Sequence, residues 1–477
     1  MKQLIKSKRV VFPDGVRPAS VLIDGEKIRE ILPYEADLGS SDIRLIDYGD
    51  LALMPGVVDT HVHINEPGRT EWEGFSTATA AAAKGGITTL VDMPLNCDPV
   101  TTTVAALQSK VKACTNLLHV DCGFYGGVIP GNVNDLEPLI DAGVLGFKSF
   151  LIHSGIHEFP HVAEADIRKA IPILKKGRVP YLMHAELDLT PPAPLSATQR
   201  GGSKIGTSPK PHMHTPPLHN VERGIGGEVD NRLYSTYLAS RPRSWENDAV
   251  ELMARLAGET NAHLHVVHLS SSDALETLEA TRQRNIPLSV ETCHHYLTYC
   301  AEEIPDGHTE FKCAPPIRER ENREKLWQAI RDGVIDFAVS DHSPCTPALK
   351  ERGSGDFMKA WGGIAGLQFS LSVFYTGAQS RGFDLAQVSH SLSAAPAKFV
   401  GLANKGSIAP GMDADLVVFD TEARFRVEPA MIAHRHDVSP YVGMELTGLV
   451  KETWLRGKQI YGQNLAETPS GRAILRQ

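Results

Sequence analysis

Leu51-Ala52-Leu53-Met54-Pro55-Gly56-Val57-Val58-Asp59-Thr60-His61-Val62-His63 is the stretch on which the fold turns. Its first part, 51–58, is mostly apolar, as a buried strand is. Side chains on a strand alternate between faces, so His61 and His63 emerge together on one side. Two imidazoles converging at a strand's end make half of a metal site. A His-x-His pair alone is more often a surface pair or two satisfied interior histidines, so its meaning depends on the rest of the chain.

Downstream, strand-like and helix-like segments alternate. The apolar runs end at His61/His63, Met93, Val128, 148–151, His184, His268, 291–295 and Asp341, which makes eight. Helical patterns fall between them at 75–84, 101–114, 133–142, 163–176, 245–258, 272–284 and 320–332, and another follows at 364–375. Eight strand-then-helix units predict an α/β fold, a closed (β/α)8 TIM barrel whose functional groups gather at the C-terminal ends of the strands. A doubly wound open sheet is the alternative, but no Gly-rich phosphate loop supports it.

The flanks read differently. Residues 1–54 look like short strands, with an Asp24-Gly25 turn between two apolar segments. The pattern returns in Ala414-Asp415-Leu416-Val417-Val418-Phe419 and in Thr453-Trp454-Leu455-Arg456-Gly457. Neither terminal piece is large enough to bury a sheet of its own, so the two are expected to pair as one small β-domain built from 1–54 and 405–477 around a barrel of 55–404. Residues 190–228 break the rhythm. They are rich in Pro, Gly, Ser and His and read as a long surface loop after the fifth strand. Pro211-His212-Met213-His214 mimics a metal pair, but no apolar run anchors it as a strand.

Composition sets bounds on function. Of the 477 residues, 42% are apolar and 22% charged, as in an ordinary globular protein. The net charge of −9 is spread along the chain with no basic run, which argues against a nucleic-acid partner. No apolar stretch approaches the roughly 18 residues of a membrane helix, and the short apolar run near Met1 does not make a secretion signal. The seven cysteines are isolated and odd in number, which predicts free thiols in a reducing compartment, the cytoplasm.

The other half of the metal site is present. Lys148, His184, His268 and Asp341 each end an apolar run, on strands four, five, six and eight. Singly, a lysine can snorkel and a histidine can be a hydrogen-bonded core residue. Together, four imidazoles, a carboxylate and a lysine at one barrel mouth are not explained by neutral packing. Lys148 as an ammonium would be repelled by dications. As the carbamate formed with carbon dioxide it becomes an anion with two oxygens, able to bridge two metals.

These residues resemble the cyclic amidohydrolases, and within them the branch that acts on allantoin. The resemblance rests on Pro55-Gly56-Val57-Val58-Asp59-Thr60-His61-Val62-His63 and the residues that follow it, and on Asp92-Met93-Pro94-Leu95-Asn96 and Gly146-Phe147-Lys148-Ser149-Phe150. Phe311-Lys312-Cys313-Ala314, Ser340-Asp341-His342-Ser343 and Trp361-Gly362-Gly363 extend it. It covers nearly the whole chain apart from 190–228. It implies hydrolysis of the hydantoin ring of allantoin to allantoate, in purine nitrogen breakdown. The small-molecule substrate would be handled by a homotetramer. Each chain would carry two divalent ions, usually zinc, with manganese, cobalt or iron as alternatives. The implied ligands are His61, His63, Lys148 as N6-carboxylysine, His184, His268 and Asp341. Asp341 would be the catalytic proton carrier, and Asn96, Ala314 and Gly363 would contact the substrate.

Departures separate the branches. Dihydroorotases carry an Arg two residues beyond the second histidine of the pair, where this chain has Asn65, so a carboxylate-bearing substrate is disfavoured. Hydantoinases carry an oxyanion-donating Tyr five residues after the lysine, where this chain has His153, which becomes the candidate donor. His294 stands where the family often has Pro. Hydantoinase, dihydropyrimidinase or dihydroorotase activity is the alternative reading. A metal-free scaffold relative is the alternative of a different class, but such relatives lose ligands and this chain keeps all six.

Overall fold

The computed structural model describes residues 2–39, 42–188 and 230–476. The 190–228 loop and its Pro211-His212-Met213-His214 segment lie outside the described residues.

The β-branched run Val57–Val62 forms a fully buried strand and pairs in parallel with Ile87–Asp92. From there the parallel order runs through Asp121–Phe124 and its continuation Gly126–Gly127, then Phe147–Phe150, Tyr181–His184, Leu264–Val266, Leu288–Cys293 and Phe337–Val339. Closure comes at the end of the last strand. Val62 and His342 form a parallel bridge, and the His63 amide donates to the His342 carbonyl at 2.8 Å. Below that point the Asp59 carboxylate accepts from the Ser340 amide at 3.2 Å, so a buried acid ties the first strand to the eighth. The fold is the (β/α)8 barrel that the alternating pattern predicts.

Helices cover the outside, each burying one stripe. In Glu164–Gly177 the inward residues are Ile167, Ala170, Ile171 and Leu174, which is the spacing of one helical face. The helix expected at 364–375 begins later. Ile364 instead bridges His342, a 3-10 turn occupies Leu367–Phe369, and the α-helix runs Ser370–Ser380. Helical periodicity does not register that backbone pairing.

The two chain ends form one sheet. Ala52–Pro55 pairs in parallel with Lys2–Phe12 and antiparallel with Leu416–Arg426, which joins the N-terminal strands to Glu445–Leu455 and Lys458–Tyr461. Ile5, Val21, Leu53, Leu416, Val418 and Trp454 supply its apolar core. Asp24 pairs with Lys27 across the expected turn, where Gly25 takes φ +64°. This sheet is fastened to the barrel through charge. Asp121, on the third barrel strand, binds Lys405 at 2.9 Å and also Arg456, and Lys405 reaches Asp415 at 2.6 Å. Ala473–Ile474 then adds a short parallel strand beside Cys122 and Gly123.

Candidate metal centre

The candidate ligands come from five barrel strands and meet at their C-terminal ends. His61 and His63 leave the first strand, Lys148 lies in the fourth, His184 ends the fifth, and His268 and Asp341 follow the sixth and eighth. All six are buried. His61 Nε2 lies 3.4 Å and His63 Nε2 3.5 Å from Asp341 Oδ1, and the three residues form a cluster able to hold a divalent ion. The His61 ring lies 5.5 Å from that of His268, and the His268 ring 4.5 Å from that of His184. His268 and Asp341 have φ of +42° and +44°, values that cost free energy for non-glycine residues and that concentrate at functional sites.

Neighbouring side chains aim these rings. Glu291 on the seventh strand binds His61 Nδ1, which leaves Nε2 to face the centre. Glu186 binds His184 Nε2 at 2.7 Å and is itself held by Arg241, while Phe150 stacks on the His184 ring at 4.5 Å. Ser343 Oγ donates to Asp341 Oδ1 at 2.7 Å. Burial pushes the pKa of His184 down to about 4 and those of His63 and His268 well below the usual histidine range. These imidazoles are therefore neutral at neutral pH, the form that ligates metal.

The site's chemistry fits a cationic group. Lys148 Nζ is buried with no hydrogen-bond acceptor and lies 5.1 Å from the Phe150 ring centroid. His268 Nδ1 is likewise buried without a partner. Burial lowers the Lys148 pKa to about 7, against the pull of Glu291 and Asp341 in the other direction. An ammonium at this point lacks the acceptors that buried charge requires. A carbamate there would supply two anionic oxygens amid neutral imidazoles, which suits a dication.

The remaining sequence candidates sit around this cluster. The Asn96 amide lies 3.3 Å from His63 Nδ1, so it touches a candidate ligand. Its Oδ1 has no partner. The Gly363 amide donates to the Lys312 carbonyl at 3.0 Å, and a Cβ at Gly363 would lie 2.2 Å from the Ser343 carbonyl oxygen, so only glycine fits there. A Cβ at Gly362 would lie 3.7 Å from Ala314 Cβ, which puts these two loops side by side. His153 is half-buried on the loop after the fourth strand, and its Nδ1 accepts from the Gly155 amide at 3.0 Å. That bond fixes its proton on Nε2.

Sequence reading missed the residues that hold the ligands. Glu186 could have been found by alternation, because it stands two residues after His184 and so on the same side. Glu291 carried no such signal, since its partner lies 230 residues away. Cys293 and His295 were also missed. With Asp341 they make a second buried cluster of metal-ligating atoms.

Residues 52–460 match the model of the amidohydrolase family. The chain is 46% identical to an allantoinase of Streptomyces avermitilis over 474 residues, covering 99% of this chain and 98% of that one. It is 42% identical to an allantoinase of Arabidopsis thaliana, covering 96% and 88%. Among solved structures, the L-hydantoinase (dihydropyrimidinase) of Arthrobacter aurescens superposes with a TM-score of 0.87 at 29% identity, covering 99% of both chains.

Proposed function

The chain belongs to the amidohydrolase family, and from that membership we propose that it opens the hydantoin ring of allantoin by hydrolysis, giving allantoate. Full-length likeness to allantoinases supports the substrate, and Asn65 offers no cation for a substrate carboxylate. The observation that carries the reaction is the convergence of six buried ligand-type residues, one of them a lysine whose amine has no acceptor.

In this reading His61, His63, Lys148 as its carbamate, His184, His268 and Asp341 would hold two divalent ions. Such ions make water nucleophilic at neutral pH and polarise an amide carbonyl. Imidazole, carboxylate and carbamate suit zinc, manganese, cobalt or iron, and we favour zinc. The chain's own residues do the rest. Asp341 takes a proton from the attacking water and returns it to the leaving ring nitrogen. Its carboxylate is steadied for that exchange by Ser343. His153, with its proton on Nε2, donates to the oxygen that gains charge in the tetrahedral intermediate. Burial and the nearby His157 lower its pKa, so it is a neutral donor. Asn96, Ala314 and Gly363 line the substrate's place. A homotetramer in the cytoplasm belongs to the same proposal, and the seven free, buried cysteines are consistent with a reducing compartment. Among the described residues no helix is long and apolar enough to cross a membrane.

The test is purified protein, equally loaded with metal, offered allantoin, hydantoin, dihydrouracil and dihydroorotate. Allantoin should be turned over fastest by a wide margin. Preference for any other would overturn the substrate, and no turnover of all four would point to a scaffold. Light scattering checks the tetramer.

A further inference from the structure

Cys293 closes the strand Leu288–Cys293, and His295 sits in the first turn of the helix that follows, His294–Thr298. Both adjoin Asp341 beyond the neighbouring strand. One ligand atom from each of the three residues lies within 4.8 Å of the other two, and all three residues are buried. His295 is fully buried, and neither of its ring nitrogens has a hydrogen-bond partner. A neutral imidazole carries one donor and one acceptor, and leaving both dry in a protein interior is costly. Its ring packs against Tyr296 at 4.3 Å between centroids, which satisfies neither nitrogen.

We propose that Cys293, His295 and Asp341 form a third metal position, distinct from the pair of ions above, which takes a thiophilic divalent ion such as excess zinc or cadmium and switches the enzyme off. A thiolate, an imidazole and a carboxylate suit zinc-like ions in tetrahedral geometry, with one position left open, and do not suit magnesium or calcium. On binding, the Cys293 S–H bond breaks, a sulfur–metal bond forms and the proton passes to buffer, with no change of oxidation state. Asp341 belongs to both clusters, so an ion held here engages the carboxylate that must carry protons. This consequence rests on the role given to Asp341 above. The existence of the position does not.

Holoenzyme with its resident metals counted is titrated with cadmium chloride. Bound cadmium, the ultraviolet thiolate–cadmium charge-transfer band and allantoin turnover are followed together. The expected result is one cadmium ion beyond the resident complement, appearance of the band, and a fall in turnover of roughly tenfold or more. Cys293→Ser should keep its turnover without cadmium and lose both band and inhibition. If that variant does not fold, His295→Gln should weaken cadmium binding and reduce the inhibition, since it removes one of three direct ligands. A band that persists in Cys293→Ser would assign it to another thiol and overturn the site. Cadmium uptake matched by release of resident metal would also overturn it. Band and extra ion with unchanged turnover would uphold the position and refute its control of Asp341. A band with no allantoin turnover in any metal state would uphold the position and overturn the substrate instead.

Discussion

Asp341 is fixed by three separate constraints: a left-handed backbone, a hydroxyl from Ser343 on Oδ1, and two imidazoles facing the same oxygen. Asp341→Asn preserves shape and removes the ability to carry a proton, so it should fold, retain much of its metal and lose nearly all turnover. A near-native rate in that variant would refute the role. Lys148→Ala should lose both metal and turnover, measured as metal per chain and as rate. Added short carboxylic acids should restore part of each by standing in for the carbamate. His153→Ala should lower kcat by roughly 100-fold with metal content unchanged, and His153→Phe should do the same. A change confined to KM would make His153 a contact for the substrate's tail. The six candidate ligands were legible because each ends an apolar run, and strand alternation says which way they face. What holds them was less legible. Glu291 on the seventh strand reaches His61 past the eighth, a contact that only barrel closure creates, and Asn96 meets His63 across the ends of the paired first and second strands.

Helices and strands were read in the right order because their apolar periods differ, 3.6 residues against 2. Their edges shift where the backbone makes tertiary bonds, as at Ile364. The outer helices also show where exposed charge adds to helix packing. Glu164 binds Arg168 on its own helix and Arg255 on the helix Arg243–Thr260, while Glu259 on that second helix binds Arg168 in return. The Arg255 and Arg168 guanidiniums hold the Glu164 carboxyl down to about 2. A carboxyl depressed in the folded state stabilises it fully above the ordinary range, about 4.3 for Glu, and that contribution is lost as pH falls toward 2. Glu164→Gln should therefore lower Tm slightly at pH 7, and the gap from the parent should close as pH drops below about 4. Added salt should narrow the gap at pH 7, because these side chains are exposed. A gap constant across pH would mean that packing, not charge, is lost.

At the scale of the molecule, barrel and terminal sheet meet at Asp121, which is shared by Lys405 and Arg456, two nearly buried cations. Removing one partner of a buried pair leaves charge uncompensated, at a cost of about 3–5 kcal/mol. Asp121→Asn should thus depress Tm strongly while leaving the distant metal cluster loaded, and differential scanning calorimetry with metal analysis checks both. That the two ends combine was legible from their size alone, since neither could bury a sheet unaided. The bonds that fasten them to the barrel were not, because Asp121, Lys405 and Arg456 read singly as ordinary surface charges. The combined sheet also places a demand on synthesis. Ala52–Pro55 leaves the ribosome early, yet its antiparallel partner begins at Leu416, 361 positions after Pro55. At about 5–20 residues per second that interval is on the order of 20 to 70 s. Through it, the four-residue edge strand Ala52–Pro55 of the nascent sheet stays open to any passing strand. Chains stopped short of Leu416 should therefore collect in aggregates, measured as the pelleted fraction against the full-length chain.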